Sequence, residues 1–71
     1  MIELKTKIFE YRREQHITQG DLADMVGVRR ETIARLERGQ YNPSLKLASD
    51  ISKILGASIE DLFQFVELKD K

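Results

Sequence analysis

The chain has no cysteine and no tryptophan, one proline, one histidine and few aromatic residues, 7% in all. Without cysteine there is no disulfide framework, no thiolate metal site and no thiol nucleophile, and the composition fits a reducing compartment. Long apolar runs are missing too. A stretch such as residues 25–28 is four residues long and includes Gly27, far short of the roughly 20 that a membrane helix needs. No membrane span or signal-peptide core is expected. Nor does one sign of charge dominate, with 12 basic and 12 acidic residues. At 71 residues the chain is expected to be a single domain, near the lower limit for an unaided apolar core. Folds that enclose a substrate cavity generally need more chain, which argues against an enzyme. The 41% hydrophobic and 34% charged residues suit a folded domain rather than a disordered one.

The neutral total conceals a polarity along the chain. Between residues 28 and 46, Arg29, Arg30, Arg35, Arg38 and Lys46 are opposed only by Glu31 and Glu37. From residue 59 onward Glu60, Asp61, Glu67 and Asp70 outnumber Lys69 and Lys71. One segment can therefore present a basic face despite the overall balance.

Periodicity and punctuation divide the chain into five short helical segments. The first is expected over residues 6–15, with Ile8, Tyr11 and Gln15 on one stripe. The second opens at Thr18, a good N-cap, carries Leu22, Ala23 and Val26 on one side and stops at Gly27. The third covers residues 30–38 and ends at Gly39. Gln40, Tyr41, Asn42 and Pro43 then form a turn by composition. The fourth runs from Ser44 or Leu45 to Leu55, with Leu45, Ala48, Ile51 and Leu55 as its apolar stripe, and Gly56 ends it. Ser58 to Asp61 reads as a capping box opening a single-turn fifth helix that reaches Phe63. At the ends, residues 1–4 and 64–68 alternate enough to form a two-stranded ribbon; frayed termini are the other reading.

The informative segment is residues 18–38. Two helices joined by a short glycine-containing turn form the helix-turn-helix unit, whose second helix can enter the DNA major groove. At 100° per residue, Ile33 and Leu36 face the core, while Arg30, Glu31, Ala34, Arg35 and Arg38 fall within an arc of roughly 140° on the other side. Guanidinium groups bind guanine O6 and N7 in a bidentate way, and a carboxylate accepts from cytosine N4. The small Ala34 lets the helix backbone approach base edges. A charged helix face is also an ordinary solvated surface, and charge alone does not separate the two readings.

Elsewhere the bland readings prevail. His16 is the chain's only imidazole and is expected to be solvated near a helix end. No partners stand at metal-ligand spacing from it. Asp21 favours the start of the second helix and Asp24 is a surface charge. Serines 44, 49, 52 and 58 have no histidine near enough in sequence to activate them. Phe9 falls off the first apolar stripe and is expected to cover the ribbon or a partner subunit.

Thr18-Gln19-Gly20-Asp21-Leu22-Ala23, Gly27-Val28, Thr32-Ile33-Ala34-Arg35-Leu36-Glu37-Arg38-Gly39 and Tyr41-Asn42-Pro43-Ser44-Leu45 occur in that order. The sequence thereby resembles the lambda Cro/phage-repressor (XRE) helix-turn-helix family, with the core of the likeness over residues 7–63. The resemblance implies an all-α, five-helix lambda-repressor-like DNA-binding domain occupying residues 1–71. It implies a cytoplasmic, bacterial or phage-encoded regulator, a repressor that binds a palindromic operator on double-stranded DNA as a homodimer. Small stand-alone members also pair their chain ends as a ribbon. Residue by residue, the family pattern makes Thr18 the cap of the second helix and puts Gln19 on a phosphate. It places Arg29, Arg30, Glu31, Thr32 and Arg35 on bases or flanking phosphates, with base preference resting on Arg30, Glu31, Ala34 and Arg35. Arg38, Gln40, Tyr41 and Asn42 fall where the following loop grips the sugar-phosphate backbone. Arg12 and Glu37 match a structural ion pair. No cofactor, metal, effector domain or small-molecule effector is expected. Three departures stand out: Arg29 where the family usually has a capping Ser or Thr, Gly20 inside the second helix, and Glu31 in a base-facing position. Glu31 either reads cytosine or is held by Arg30 or Arg35. An antitoxin-like protein-interaction module that kept the fold without DNA binding is the alternative.

Overall fold

The computed structural model describes residues 2–67. In chain order it contains β1 (Ile2–Thr6), α1 (Ile8–Glu14), α2 (Gln19–Val26), α3 (Arg30–Glu37), α4 (Leu45–Leu55), α5 (Ile59–Leu62) and β2 (Phe63–Glu67). Five helices form the body. The two strands pair antiparallel into a ribbon, Ile2 opposite Glu67 and Thr6 opposite Phe63. The ribbon reading of the chain ends therefore holds over frayed termini. Met1 and Leu68, which the expected ribbon also included, lie outside the described residues, as do Lys69, Asp70 and Lys71.

At two junctions the structure departs from the sequence expectation for a tertiary reason. Thr6 closes β1 instead of opening α1: it is β-branched, faces Phe63, and its Oγ1 donates to the Leu36 carbonyl at 3.3 Å. The Lys7 N–H donates to the Leu62 carbonyl at 2.9 Å, so helix begins only at Ile8. Phe63 is likewise strand, not helix, because the ribbon claims it. On α4, Leu45 is 78% exposed and Leu47 takes its place in the core beside Ala48, Ile51 and Leu55. Helical phase explains the exchange, since Leu47 lies about 40° from Ile51 around the axis and Leu45 about 120°. At the end of α1, Gln15 is exposed and its side-chain amide donates to the Leu55 carbonyl at 2.7 Å.

The core is shared by every helix. Ile8, Leu22, Ile33, Leu36, Ile51 and Leu62 are fully buried, with Leu4 and Phe63 of the ribbon packed in the same cluster. Fully burying an aliphatic side chain contributes about 1.5–3 kcal/mol, so two such residues on α3 orient that helix firmly. α1 ends in a double closure: Ile17 N–H donates to the Arg12 carbonyl at 3.0 Å and His16 N–H to the Arg13 carbonyl at 3.1 Å. This geometry puts His16 at φ 58°, a left-handed backbone that glycine adopts more readily.

Candidate nucleic-acid interface

α2 starts with a complete capping box. Thr18 Oγ1 accepts from the Asp21 N–H at 3.0 Å, and the Asp21 carboxylate accepts from the Thr18 N–H at 3.4 Å. Asp21 thus has a local structural task. The helix ends at Gly27, φ 75°, and Val28 N–H closes onto the Ala23 carbonyl at 3.0 Å. The left-handed residue turns the chain sharply, so α3 starts three residues later. Arg29 occupies the N-cap of α3 without a side-chain capping bond, as expected of a residue whose side chain only donates.

α3 is two-sided. Ile33 and Leu36 have no exposed surface, while Arg30, Glu31 and Arg35 are exposed and Thr32 and Ala34 are half-buried. Among the described residues neither Arg30 nor Arg35 forms an ion pair with Glu31. Its carboxylate is therefore open to accept hydrogen bonds from outside.

A buried network fixes α3 against α1 and α2. Arg12, only 7% exposed, donates from Nε to Glu37 Oε2 at 2.8 Å, from Nη2 to Glu37 Oε1 at 3.1 Å and from Nη1 to the Ile17 carbonyl at 3.1 Å. Gln19 Nε2 donates to the same Glu37 Oε1 at 3.0 Å. Desolvating two charges is costly, and the paired, multiply hydrogen-bonded geometry offsets that cost. One Gln19 donor is thereby engaged inside the protein. Its position at the first turn of α2 still leaves its carbonyl and second amide proton for an outside group.

Beyond α3 the loop carries more side chains to the same side. Arg38 Nε donates to Gln40 Oε1 at 3.1 Å. The Arg35 guanidinium carbon stands 5.7 Å from the centre of the Tyr41 ring. Asn42 is exposed. Phe9, expected over the ribbon or a partner subunit, is 46% exposed and lies 5.3 Å from the guanidinium carbons of both Arg12 and Arg13. Phe9, Arg13, Thr18, Gln19, Gly20 and Arg30 line an open depression of about 540 Å³. Arg13 is thus a cation on this side that the sequence reading did not assign. The i, i+4 spacing from Phe9 to Arg13 was the available signal. His16, Asp24 and the capping serines stand outside the constellation.

Similarity to known proteins follows this geometry. The helix-turn-helix family model matches residues 8–62. An uncharacterised HTH-type transcriptional regulator of Archaeoglobus fulgidus is 55% identical over 64 residues, 90% of each chain. The Bacillus subtilis regulator YgzD, also uncharacterised, is 41% identical, covering 90% of this chain and 97% of its own. Among solved structures, the restriction-modification controller protein C.AhdI of Aeromonas hydrophila superposes with a TM-score of 0.71 at 30% identity, covering 79% of this chain and 85% of that one. The clp gene regulator ClgR of Corynebacterium glutamicum gives 0.70 at 30% identity over 76% of this chain, which spans 57% of ClgR. No helix among the described residues is long and apolar enough to cross a membrane. The chain belongs to the Cro/C1-type (XRE) helix-turn-helix family: it is a transcriptional regulator with a helix-turn-helix DNA-binding fold, and not an enzyme.

Proposed function

We propose that this regulator is a repressor that binds a palindromic operator on double-stranded DNA as a homodimer, laying α3 in the major groove. The observation that carries the reading is the two-sidedness of α3, with Ile33 and Leu36 fully buried and Arg30, Glu31 and Arg35 facing out. Arg30 and Arg35 act on guanine edges, Glu31 on a cytosine amino group, and Ala34 lets the backbone come close. Gln19, Arg29, Thr32, Arg38, Gln40, Tyr41 and Asn42 hold the sugar-phosphate backbone and set register, with Thr18 fixing the start of α2. Repression follows from occupying the operator in the cytoplasm, with control exerted through protein level or an outside antagonist.

The homodimer is supported by a second, apolar surface. Ile2 is 69% exposed, Leu45 78% and Phe65 66%. Leu45 and Phe65 border an apolar depression of about 270 Å³ with Leu4, Ile59, Phe63 and Asn42. One recognition helix reads only a few base pairs, so a second copy joined through this surface supplies the missing specificity. An electrophoretic shift on the DNA upstream of the regulator's own gene, repeated across salt, tests the reading. Specific binding that weakens steeply with salt is expected. Absence of binding to any operator-length duplex would instead favour the protein-interaction module, and a reproducible change in affinity caused by a small metabolite would contradict the control proposed.

A further inference from the structure

Tyr41 belongs by position to the backbone-gripping loop, yet its ring is placed against a base-reading side chain. The cause lies at the end of α3. Gly39 adopts φ 71°, its N–H donates to the Leu36 carbonyl at 3.0 Å and the Gln40 N–H donates to the Arg35 carbonyl at 2.9 Å. This double closure folds the chain back along the last turn of the helix, and residue 41 arrives beside Arg35. No other residue type fits at Gly39 without movement, because a β-carbon there would run into the Leu4 carbonyl. The turn is therefore held from two sides, by its own hydrogen bonds and by β1. Tyr41 also shares a shallow depression of about 220 Å³ with Val26, Val28 and Leu47, which leaves it 40% exposed. The Arg35 guanidinium carbon lies 5.7 Å from the ring centre, within the range of a cation–π interaction.

Resting on the reading of α3 as the base-reading helix, we propose that Tyr41 is a positioning residue whose ring, not its hydroxyl, aims Arg35 at its base and so sharpens sequence discrimination. A ring holds the guanidinium without supplying a hydrogen-bond acceptor, so no donor is consumed by an acceptor atom and a bidentate contact stays open. Arg38 is held differently, by a hydrogen bond to Gln40 that consumes one donor. A long side chain already confined loses less freedom on binding. That gain is realised only where the matching base is present, so it appears in the preference between sequences.

The test uses the duplex most enriched by the full-length wild-type protein from a random pool, and a scrambled duplex of equal length and composition. The readout is the ratio of the two dissociation constants for wild type, Tyr41→Phe, Tyr41→Leu, Arg35→Ala and the Tyr41→Leu/Arg35→Ala pair. Tyr41→Leu keeps apolar bulk without a π face, and a thermal melt checks that it folds. Tyr41→Phe should keep the ratio within about two-fold of wild type, since any lost backbone contact weakens both duplexes alike, and Tyr41→Leu should lower the ratio about two- to five-fold. In the Arg35→Ala background Tyr41→Leu should change the ratio no further. Equal damage from Tyr41→Phe would show the hydroxyl at work and overturn the proposal. So would equal weakening of both duplexes by Tyr41→Leu, or additive losses in the pair. If Tyr41→Leu fails to fold, Tyr41→Phe decides: retention of the full ratio supports the ring, and its loss overturns it. Should Arg35→Ala leave the ratio unchanged, the base-reading role of α3 falls, and the positioning role with it. A loss in Arg35→Ala without one in Tyr41→Leu removes the positioning role alone.

Discussion

The surface built from Phe9, α2, α3 and the loop to Asn42 and the surface built from the ribbon, α4 and α5 share one core and meet at Asn42, yet show solvent different chemistries. Both leave large hydrophobic residues uncovered, Phe9 and Tyr41 on the first, Ile2, Leu45 and Phe65 on the second. On the first side each aromatic ring carries an arginine, Phe9 beneath Arg12 and Arg13 and Tyr41 beneath Arg35. Among the described residues no cation stands over Phe65. Exposure alone therefore does not distinguish a binding surface from a support for charge. An aromatic ring that orders a cation serves a polyanionic partner, and an unattended apolar face serves an apolar one.

Six variants sharpen or break that contrast. The largest effect is expected at the joint holding the polar side together. Glu37→Leu leaves Arg12 buried with only the Ile17 carbonyl and strips Gln19 of its partner, so a loss of about 3–5 kcal/mol is expected in urea denaturation. The double change Arg12→Met/Glu37→Leu should recover most of it, since a buried pair can be replaced by apolar groups at little net cost. A single mutant as stable as wild type would mean that the network does not hold α3.

On the apolar side, Leu45→Ser/Phe65→Ser should raise the dimer dissociation constant about 100-fold in sedimentation equilibrium. The two residues are mostly exposed, so the melting of the monomer should barely change. Unaltered association would move the dimer surface elsewhere and dissolve the contrast between the two sides. Within the polar side, Arg35→Ala should cost roughly 1–3 kcal/mol in operator binding and blur sequence preference, whereas Asn42→Ala should weaken all duplexes alike. Identical behaviour of the two would erase the division between base and backbone contacts. The smallest effect is expected at Arg29→Ser: a capping hydroxyl should stabilise the fold by about 1 kcal/mol while removing a cation and flattening the salt dependence of binding.

What could be read from the sequence was what short-range chemistry decides. Thr18, Gly27, Ser44 and Gly56 set helix ends through bonds to residues a few positions away, and each does so in the structure. The faces of α3 followed from its period. What escaped depends on partners far along the chain. Thr6 and Phe63 are strand because they find each other across the ribbon. Leu45 is exposed because α4 meets the core through Leu47 instead. The link from Gln19 to Glu37 spans 18 positions, and no local pattern announces it. For Phe9 the stripe showed that it left the core, but not that two arginines stand beside it.

The central claim is that the outer face of α3 reads DNA in two copies at once. A random-site selection with the purified full-length protein tests it most directly. An inverted repeat should emerge, its half-sites about one helical turn apart and its preferred bases lost when Arg35 is replaced by alanine. A pool that gains no common sequence, or one whose enriched sequence is untouched by that replacement, would contradict the account.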